Sequence, residues 1–164
     1  MNAELDSIIR DFNALTDINL VFRKTTDRSI ATLIIYLTDK NTFLTAEPVV
    51  GVSYLRFSSI GYTYTFWGNV EKKISNAVIF IDMARQNNNS ILDNRYVLHH
   101  EMMHALGFLG HVNFPDFSNS CLFNTYNFVT SYSNFDKKMI PLLYNPAIKA
   151  GMTDQELNAV IVNL

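Results

Sequence analysis

The decisive stretch of this sequence is His100-Glu101-Met102-Met103-His104-Ala105-Leu106-Gly107-Phe108-Leu109-Gly110-His111. Residues four apart on a helix point from the same face, so the imidazoles of His100 and His104 can reach one metal ion. Glu101 lies about 100° further round such a helix, where its carboxylate stands beside the ion without binding it. The order of these residues is the H-E-x-x-H pattern of a hydrolytic zinc site, in which the glutamate is the general base.

The residues after His104 suit the same site. Gly107 comes three residues later, where helices often end in a left-handed residue that only glycine adopts easily. The chain can then turn back and present His111 as a third ligand from outside the helix. The alternative is a buried amphipathic helix whose histidines only form hydrogen bonds. It leaves both the order of the motif and the downstream histidine unexplained.

The composition of the chain is that of a globular enzyme. Its 164 residues are 48% hydrophobic and 17% charged, with a formal net charge of −2. We therefore expect one domain over residues 1–164. The sequence has no basic stripe that would neutralise phosphates, which argues against a nucleic-acid partner. The longest apolar run, residues 31–37, is too short for a membrane span.

The N-terminus and the single cysteine bear on where the protein is located. Met1-Asn2-Ala3-Glu4-Leu5-Asp6 lacks the basic and then apolar order of a signal peptide. We expect a secreted or cell-envelope protein whose leader lies outside this sequence, with a cytoplasmic location as the alternative. Cys121 is the only cysteine, so the chain can form no internal disulfide. Its thiol can in principle bind zinc, but its flanking residues favour a small buried side chain.

The hydrophobic pattern predicts a helix, several strands and then the motif helix. Residues Glu4–Leu15 have one apolar face and are predicted to be helical. Apolar or alternating runs predict strands at Leu20–Lys24, Thr32–Leu37, Gly51–Phe57, Gly61–Trp67 and Ala77–Asp82. Of these, Gly61–Trp67 suits a sheet edge. The motif helix is predicted from about Ile91 to Leu106, with an apolar face that packs on the core.

The segment after the motif differs in character. Residues Val112–Tyr132 have little periodicity and are interpreted as loops around the site. Capping boxes at Ser133–Asp136 and Thr153–Glu156 open two late helices. These elements predict an α+β fold with a twisted mixed sheet, an active-site helix and a loop-rich C-terminal half that ends in helices. The two halves, about 1–107 and 108–164, would border a cleft.

This order of elements resembles the metzincin clan of zinc metallopeptidases. The resemblance rests on the motif from His100 to His111, on the strands before it and on the segment after it. In that clan a methionine-bearing turn lies beneath the metal, and a last helix begins near an acidic residue and ends in a Leu-Tyr pair. Ser120-Cys121-Leu122-Phe123 stands at the position of the turn, and Asp136 and Leu143-Tyr144 match the last helix.

A weaker resemblance concerns the C-terminal segment alone. It is similar to an uncharacterised family of secreted bacterial proteins in Leu143-Tyr144-Asn145-Pro146, Ile148 and Gly151-Met152. That resemblance implies a location outside the cytoplasm and does not imply any particular activity.

Two positions depart from the pattern of the clan. The third ligand normally falls ten residues after the first histidine, where this chain has Gly110, and His111 comes one residue later. A one-residue slip in an extended segment turns a side chain to the other face, so His111 binds only if Gly110 absorbs the extra step. Asp116 or water is the alternative third ligand, since related enzymes sometimes use an aspartate. The turn has no methionine, and Leu122 or Phe123 would fill its place.

Three further side chains near the motif have two interpretations each. His99 points elsewhere on the helix than His100, and it is interpreted as a surface group or as one that supports a ligand. Tyr126 and Tyr132 follow the turn, where some metzincins place a tyrosine that binds zinc or stabilises the transition state. Simple packing is the alternative for both tyrosines.

The motif and the resemblance together predict a zinc-dependent endopeptidase. Zn²⁺ held by His100, His104 and His111 would leave one position for a water molecule, and Glu101 would take its proton during attack on a peptide carbonyl. A peptide or protein substrate would align by adding a strand to the edge at Gly61–Trp67. The alternatives are an inactive, zinc-stabilised binding module and a zinc hydrolase of non-peptide amides or esters. We expect a monomer.

Overall fold

The computed structural model of the protein describes residues 2–15, 18, 20–46, 60–68, 73–84, 91–123, 129–149 and 151–162. Within these ranges the α-helices are α1 (Asn2–Asn13), α2 (Lys40–Ala46), α3 (Ile91–Ala105), α4 (Asn134–Leu143) and α5 (Asp154–Ile161). The strands are β1 (Leu33–Thr38), β2 (Gly61–Trp67) and β3 (Ile74–Asp82). The described part of the chain is therefore α+β, as the sequence predicts.

The three strands form one mixed sheet in the order β1-β3-β2. β1 runs parallel to β3, from Leu33 opposite Ala77 to Thr38 opposite Asp82. β2 runs antiparallel to β3, with Thr63 opposite Ile79. β3 is the central strand of the described sheet, and its residues 77–82 are all buried. β2 lies at an edge of that sheet, so the predicted edge strand is confirmed for the residues that the structure describes.

The two faces of the sheet pack against different helices. One face joins the main core with α1 and α3, which includes Ile8, Phe12, Ile79 and Met103. The other face packs against α2, where the ring of Phe43 stacks on Phe80 with 4.6 Å between centroids. Alternate residues of a strand point to opposite faces. Tyr62, Tyr64 and Phe66 therefore join the α2 side, which leaves Gly61, Thr63 and Thr65 toward α3.

One predicted strand of the first half is wrong, one helix was missed, and one predicted strand lies outside the described residues. Leu20–Lys24 is not a strand, because the side chain of Asn13 bonds both the backbone N–H and the carbonyl of Phe22, at 2.9 Å each. The helix α2 was not predicted. Its first turn is closed by Asp39, whose carboxylate accepts hydrogen bonds from the N–H groups of Asn41 and Thr42. Gly51–Phe57 lies outside the described residues.

The late helices agree with the prediction. α4 and α5 both begin at complete capping boxes, with Ser133 and Thr153 as the capping residues. None of the helices in the described ranges is long and apolar enough to cross a membrane.

Candidate metal centre

The motif helix α3 is buried on nearly all sides. Residues 96–99, 101–103 and 105–106 are all buried, and only His100 and His104 keep partial exposure within 96–106. The helix lies between the sheet and the segment that follows it, so the prediction of one apolar face underestimates its burial. The two partly exposed residues of this stretch are the two histidines of the motif.

Gly107 ends α3 as the sequence predicts. It has a φ of 110°, its N–H bonds the carbonyl of His104 at 2.9 Å, and the N–H of Phe108 bonds the carbonyl of Met103 at 3.2 Å. This pair of bonds around a left-handed glycine is the Schellman motif, which satisfies the last carbonyls of a helix. The reversal returns the chain toward the face of α3 that carries the histidines.

Three histidine side chains converge beyond this turn. The Nε2 atom of His100 lies 3.1 Å from Nε2 of His104 and 3.1 Å from Nε2 of His111. The ligand atoms of all three residues lie within 4.8 Å of one another. Two nitrogens bound tetrahedrally to zinc at their usual bond length are about 3.3 Å apart. The spacing of the three nitrogens therefore fits a shared metal ion.

The other ring nitrogens fix the protonation pattern of this cluster. The Nδ1 atom of His100 lies 2.7 Å from the carbonyl oxygen of Cys121, and Nδ1 of His104 lies 2.5 Å from that of Phe108. A carbonyl only accepts, so Nδ1 carries the proton in both rings and each Nε2 presents a lone pair. Two lone pairs 3.1 Å apart repel each other unless a cation lies between them. Outer hydrogen bonds of this kind are usual for histidines that bind metals.

The surroundings also keep these imidazoles neutral. Burial, together with the nearby His104 and His111, lowers the pKa of His100 to about 4, against an opposing effect of its hydrogen bond to the Cys121 carbonyl. Burial lowers the pKa of His104 as well, against an opposing effect of the Phe108 carbonyl. Metal binding requires the neutral imidazole, which is the form that this environment favours.

Glu101 lies on the sheet side of the cluster. It is 6% exposed, and burial raises the pKa of its carboxyl to about 7, against the effect of a hydrogen bond from Thr63. The hydroxyl oxygen of Thr63 lies 2.6 Å from Oε2 of Glu101 and 3.0 Å from its backbone oxygen. Glu101 is not part of the group of converging ligand atoms.

The segment Ser120–Phe123 forms the turn next to the histidines. Val112 and Phe123 form an isolated bridge, and the N–H of Val112 bonds the carbonyl of Leu122 at 2.9 Å. Cys121 and Leu122 are buried, and the carbonyl of Cys121 accepts the bond from His100 described above. The turn therefore contacts a candidate ligand directly through its backbone, and the apolar Leu122 is buried within it.

Asp136 ties this turn to the start of α4. Its buried carboxylate accepts hydrogen bonds from the Ser120 hydroxyl at 2.6 Å and from the Cys121 N–H at 3.0 Å. It also accepts bonds from the N–H and hydroxyl of Ser133 at 2.9 and 2.8 Å. The Asp136 carboxylate thus completes the capping box of α4 and also bonds the backbone of Cys121, whose carbonyl accepts the hydrogen bond of His100.

Gly110 lies at an exposed bend directly before His111. Its φ lies outside the left-handed region, and a Cβ atom placed there would meet nothing within 4 Å. The left-handed residue of this stretch is Gly107. His111 joins the group of converging ligand atoms although it comes one residue late. The side chain of Asp116, the predicted alternative, is exposed and outside that group.

The side chains of the remaining candidates are not part of the converging group, or lie outside the described residues. His99 is 1% exposed, its Nδ1 lies 2.8 Å from the carbonyl of Arg95, and its ring contacts Tyr132; the prediction of a surface group is therefore wrong. Tyr132 is buried, which agrees with the packing interpretation. Cys121 is a buried free cysteine, as predicted, and burial raises the pKa of its thiol. Tyr126 lies outside the described residues.

Sequence reasoning missed the part of β2 that contacts Glu101. Gly61 and Thr63 both approach this residue, and the sequence offers only the alternation of β2 as a signal. That alternation places Gly61 and Thr63 on one face, but it does not reveal which helix covers the face. The contact joins residues 38 positions apart.

The comparison with protein families identifies the family of this chain but gives no activity for it. The chain belongs to the family described as "Protein of unknown function (DUF2927)", whose model matches residues 1–163. No curated protein and no solved structure matches the chain significantly. The function is therefore inferred from the geometry of the histidine cluster and its neighbours.

Proposed function

We propose that this protein is a zinc-dependent endopeptidase of the metzincin type. The observation that carries the proposal is the convergence of the three Nε2 atoms, with His100 and His104 held in the tautomer that binds metal. The buried Glu101, which directly follows His100 on α3, would supply the base that a purely structural site does not need. The turn at Ser120–Phe123 and the acidic residue at the start of α4 support the same type of site.

Each residue of the site has a defined role in this proposal. His100, His104 and His111 would hold Zn²⁺, which supplies an acidified water and polarisation of the substrate carbonyl. Glu101 accepts the proton of the attacking water and delivers it to the leaving amine. The edge strand β2 offers backbone groups to an extended peptide, which would align the scissile bond by strand addition.

The test is cleavage of a diverse peptide library by the zinc-loaded protein beside the variant Glu101→Gln. We expect cuts by the wild type and a loss of at least about 100-fold in the variant, because general-base catalysis contributes about that much. Zinc content measured in both proteins is the control and should be equal. Equal cleavage by both proteins would exclude Glu101 as the base, and cleavage by neither would exclude the peptidase.

A second candidate is a zinc-stabilised binding module without catalysis. The specific observation in its favour is His111, which is exposed and one residue away from the usual spacing. An altered third ligand weakens the geometry needed for catalysis more than it weakens binding. Zinc binding without cleavage in the library assay would favour this candidate, and cleavage of amide or ester substrates other than peptides would indicate a hydrolase of a different class.

A further inference from the structure

The strand β2 contacts both oxygens of the Glu101 carboxylate, in different ways. Oε2 lies 2.6 Å from the hydroxyl oxygen of Thr63. Oε1 accepts no hydrogen bond from the described residues and lies beside Gly61, where a Cβ atom would come within 2.7 Å of it. Among the described residues, one oxygen therefore has a hydrogen-bond donor and the other has none. A general base requires this division, since one oxygen must stay available to take a proton.

The Thr63 hydroxyl has the geometry to fix the carboxylate against α3. It lies between Oε2 and the backbone oxygen of Glu101, at 2.6 and 3.0 Å. Its single proton goes to one acceptor at a time, and the shorter distance is to the carboxylate. Because Glu101 is 6% exposed, water cannot easily replace this bond. Removal of the hydroxyl would leave the carboxylate without its hydrogen bond in a buried place.

Gly61 leaves the space that Oε1 occupies. A Cβ atom at this position would lie 2.6 Å from Cγ1 of Val97, 2.7 Å from Oε1 of Glu101 and 2.9 Å from Cγ of Glu101. Contacts this short do not occur without movement of one partner. Any side chain at position 61 therefore pushes either β2 away from α3 or the Glu101 carboxylate out of its place.

We propose that β2 positions the general base, with Thr63 holding Oε2 of Glu101 by a hydrogen bond and Gly61 keeping Oε1 unobstructed. The inference rests on the proposed function, in which Glu101 is the base. Thr63 and Gly61 are positioning residues, because they act through Glu101. The edge strand thus has a role on its inner face, in addition to the backbone edge that it offers to a substrate.

The experiment compares Thr63→Val, which removes the hydroxyl at constant size, with Thr63→Ser, which keeps it. Thr65→Val is the matched control, since Thr65 lies two residues along the same face and has no hydrogen bond to Glu101. We expect Thr63→Val to lower kcat by about 10- to 100-fold, as a misplaced catalytic group does. KM and zinc affinity should not change. The kcat values of Thr63→Ser and Thr65→Val should stay within about threefold of the wild-type value, because neither variant misplaces the carboxylate.

A second pair tests the space at Gly61. Gly61→Ala should lower kcat, whereas Gly68→Ala, at a position where a Cβ atom meets nothing within 4 Å, should not. Equal activity of Thr63→Val and Thr65→Val would overturn the inference. An equal loss in Thr63→Ser and Thr63→Val would also overturn it, because packing and not the hydroxyl would then be responsible.

A measurement that does not depend on enzymatic activity separates this inference from the proposed function. Crystal structures of Thr63→Val, Thr63→Ser and the wild type show directly where the Glu101 carboxylate lies. If the wild type cleaves no peptide but the carboxylate moves only in Thr63→Val, the peptidase proposal fails and the positioning role stands. A carboxylate that stays in place in Thr63→Val would overturn the positioning role whatever the activity.

Discussion

At the scale of single residues, His100 and His104 each use their two ring nitrogens differently. Nδ1 meets a backbone carbonyl, and Nε2 faces the shared centre. His111 brings a third Nε2 to the same place from beyond the helix. Neutral nitrogens that present lone pairs to one point make a site for a cation, and imidazole is a common ligand of zinc.

The first prediction concerns the third ligand. His111→Ala should weaken zinc binding by more than about 100-fold, because loss of a direct ligand exceeds the 10- to 100-fold effect of outer partners. Asp116→Ala is the matched control and should leave the affinity unchanged, since Asp116 lies outside the cluster. Titration of the metal-free proteins with zinc measures both. A larger effect of Asp116→Ala would show that the aspartate is the third ligand.

At the scale of elements, the end of α3 and the capping box of α4 organise the candidate site, and α5 begins at a capping box of the same design. The end of α3 depends on a left-handed glycine at 107, and α4 begins at the carboxylate that also holds the turn next to His100. The sequence predicts all three features, because capping residues and glycine act within a few positions of each other. Their burial and tertiary contacts are not local and could not be predicted in the same way.

The second prediction concerns the two glycines of the motif. Gly107→Ala should destabilise the protein by about 1–2 kcal/mol, because alanine is strained at a φ of 110°. Its Cβ would also come within 3.2 Å of the Ile74 side chain. Gly110→Ala should change the stability by less than about 0.5 kcal/mol. Denaturant unfolding of both variants makes the comparison, and equal losses would contradict the role assigned to Gly107.

The third prediction compares two capping boxes of the same design. Asp136→Ala should cost about 3–5 kcal/mol, because it leaves the donors of the buried Ser120 and Cys121 and of the partly buried Ser133 without their acceptor. Glu156→Ala removes the matching carboxylate of α5, which is exposed, and its effect should be much smaller. Urea unfolding of the two variants measures the difference. Similar losses in both would show that Asp136 acts only as a helix cap.

At the scale of the whole molecule, the candidate site joins segments that lie far apart in the sequence. The candidate ligands come from α3 and from the segment after it, the candidate base contacts β2, and the turn is tied to α4. A metal that binds only the folded arrangement stabilises the whole structure by mass action. The stability of the protein should therefore respond to zinc.

The fourth prediction follows from this linkage. Zinc at 100 times its dissociation constant adds about 2.7 kcal/mol to the free energy of unfolding, which corresponds to a rise in Tm of about 5–11 °C at this size. A chelator should reverse the rise, and the double variant His100→Ala/His104→Ala should show none. Calorimetry with and without zinc measures the rise in Tm. An equal rise in the double variant would place the metal elsewhere.

The sequence predicts the secondary structure of some parts of this molecule better than that of others. The motif helix, β2 and the late helices follow from local patterns, and β2 has the predicted bounds. The helix α2 was missed although Asp39 is a local capping residue, because its 7 residues are too few for a clear periodic pattern. The irregular stretch at Leu20–Lys24 could not be predicted, because Asn13 bonds the backbone of Phe22 in a way that periodicity does not reveal. The approach of Gly61 and Thr63 to Glu101 is likewise a product of tertiary packing.

A crystal structure of the zinc-loaded protein, with anomalous diffraction at the zinc absorption edge, would show directly whether the three histidines hold the metal. We expect one strong peak about 2.0–2.1 Å from Nε2 of His100, His104 and His111, with the Glu101 carboxylate outside bonding distance. A peak on other residues, or none at the three histidines, would contradict the proposed zinc site.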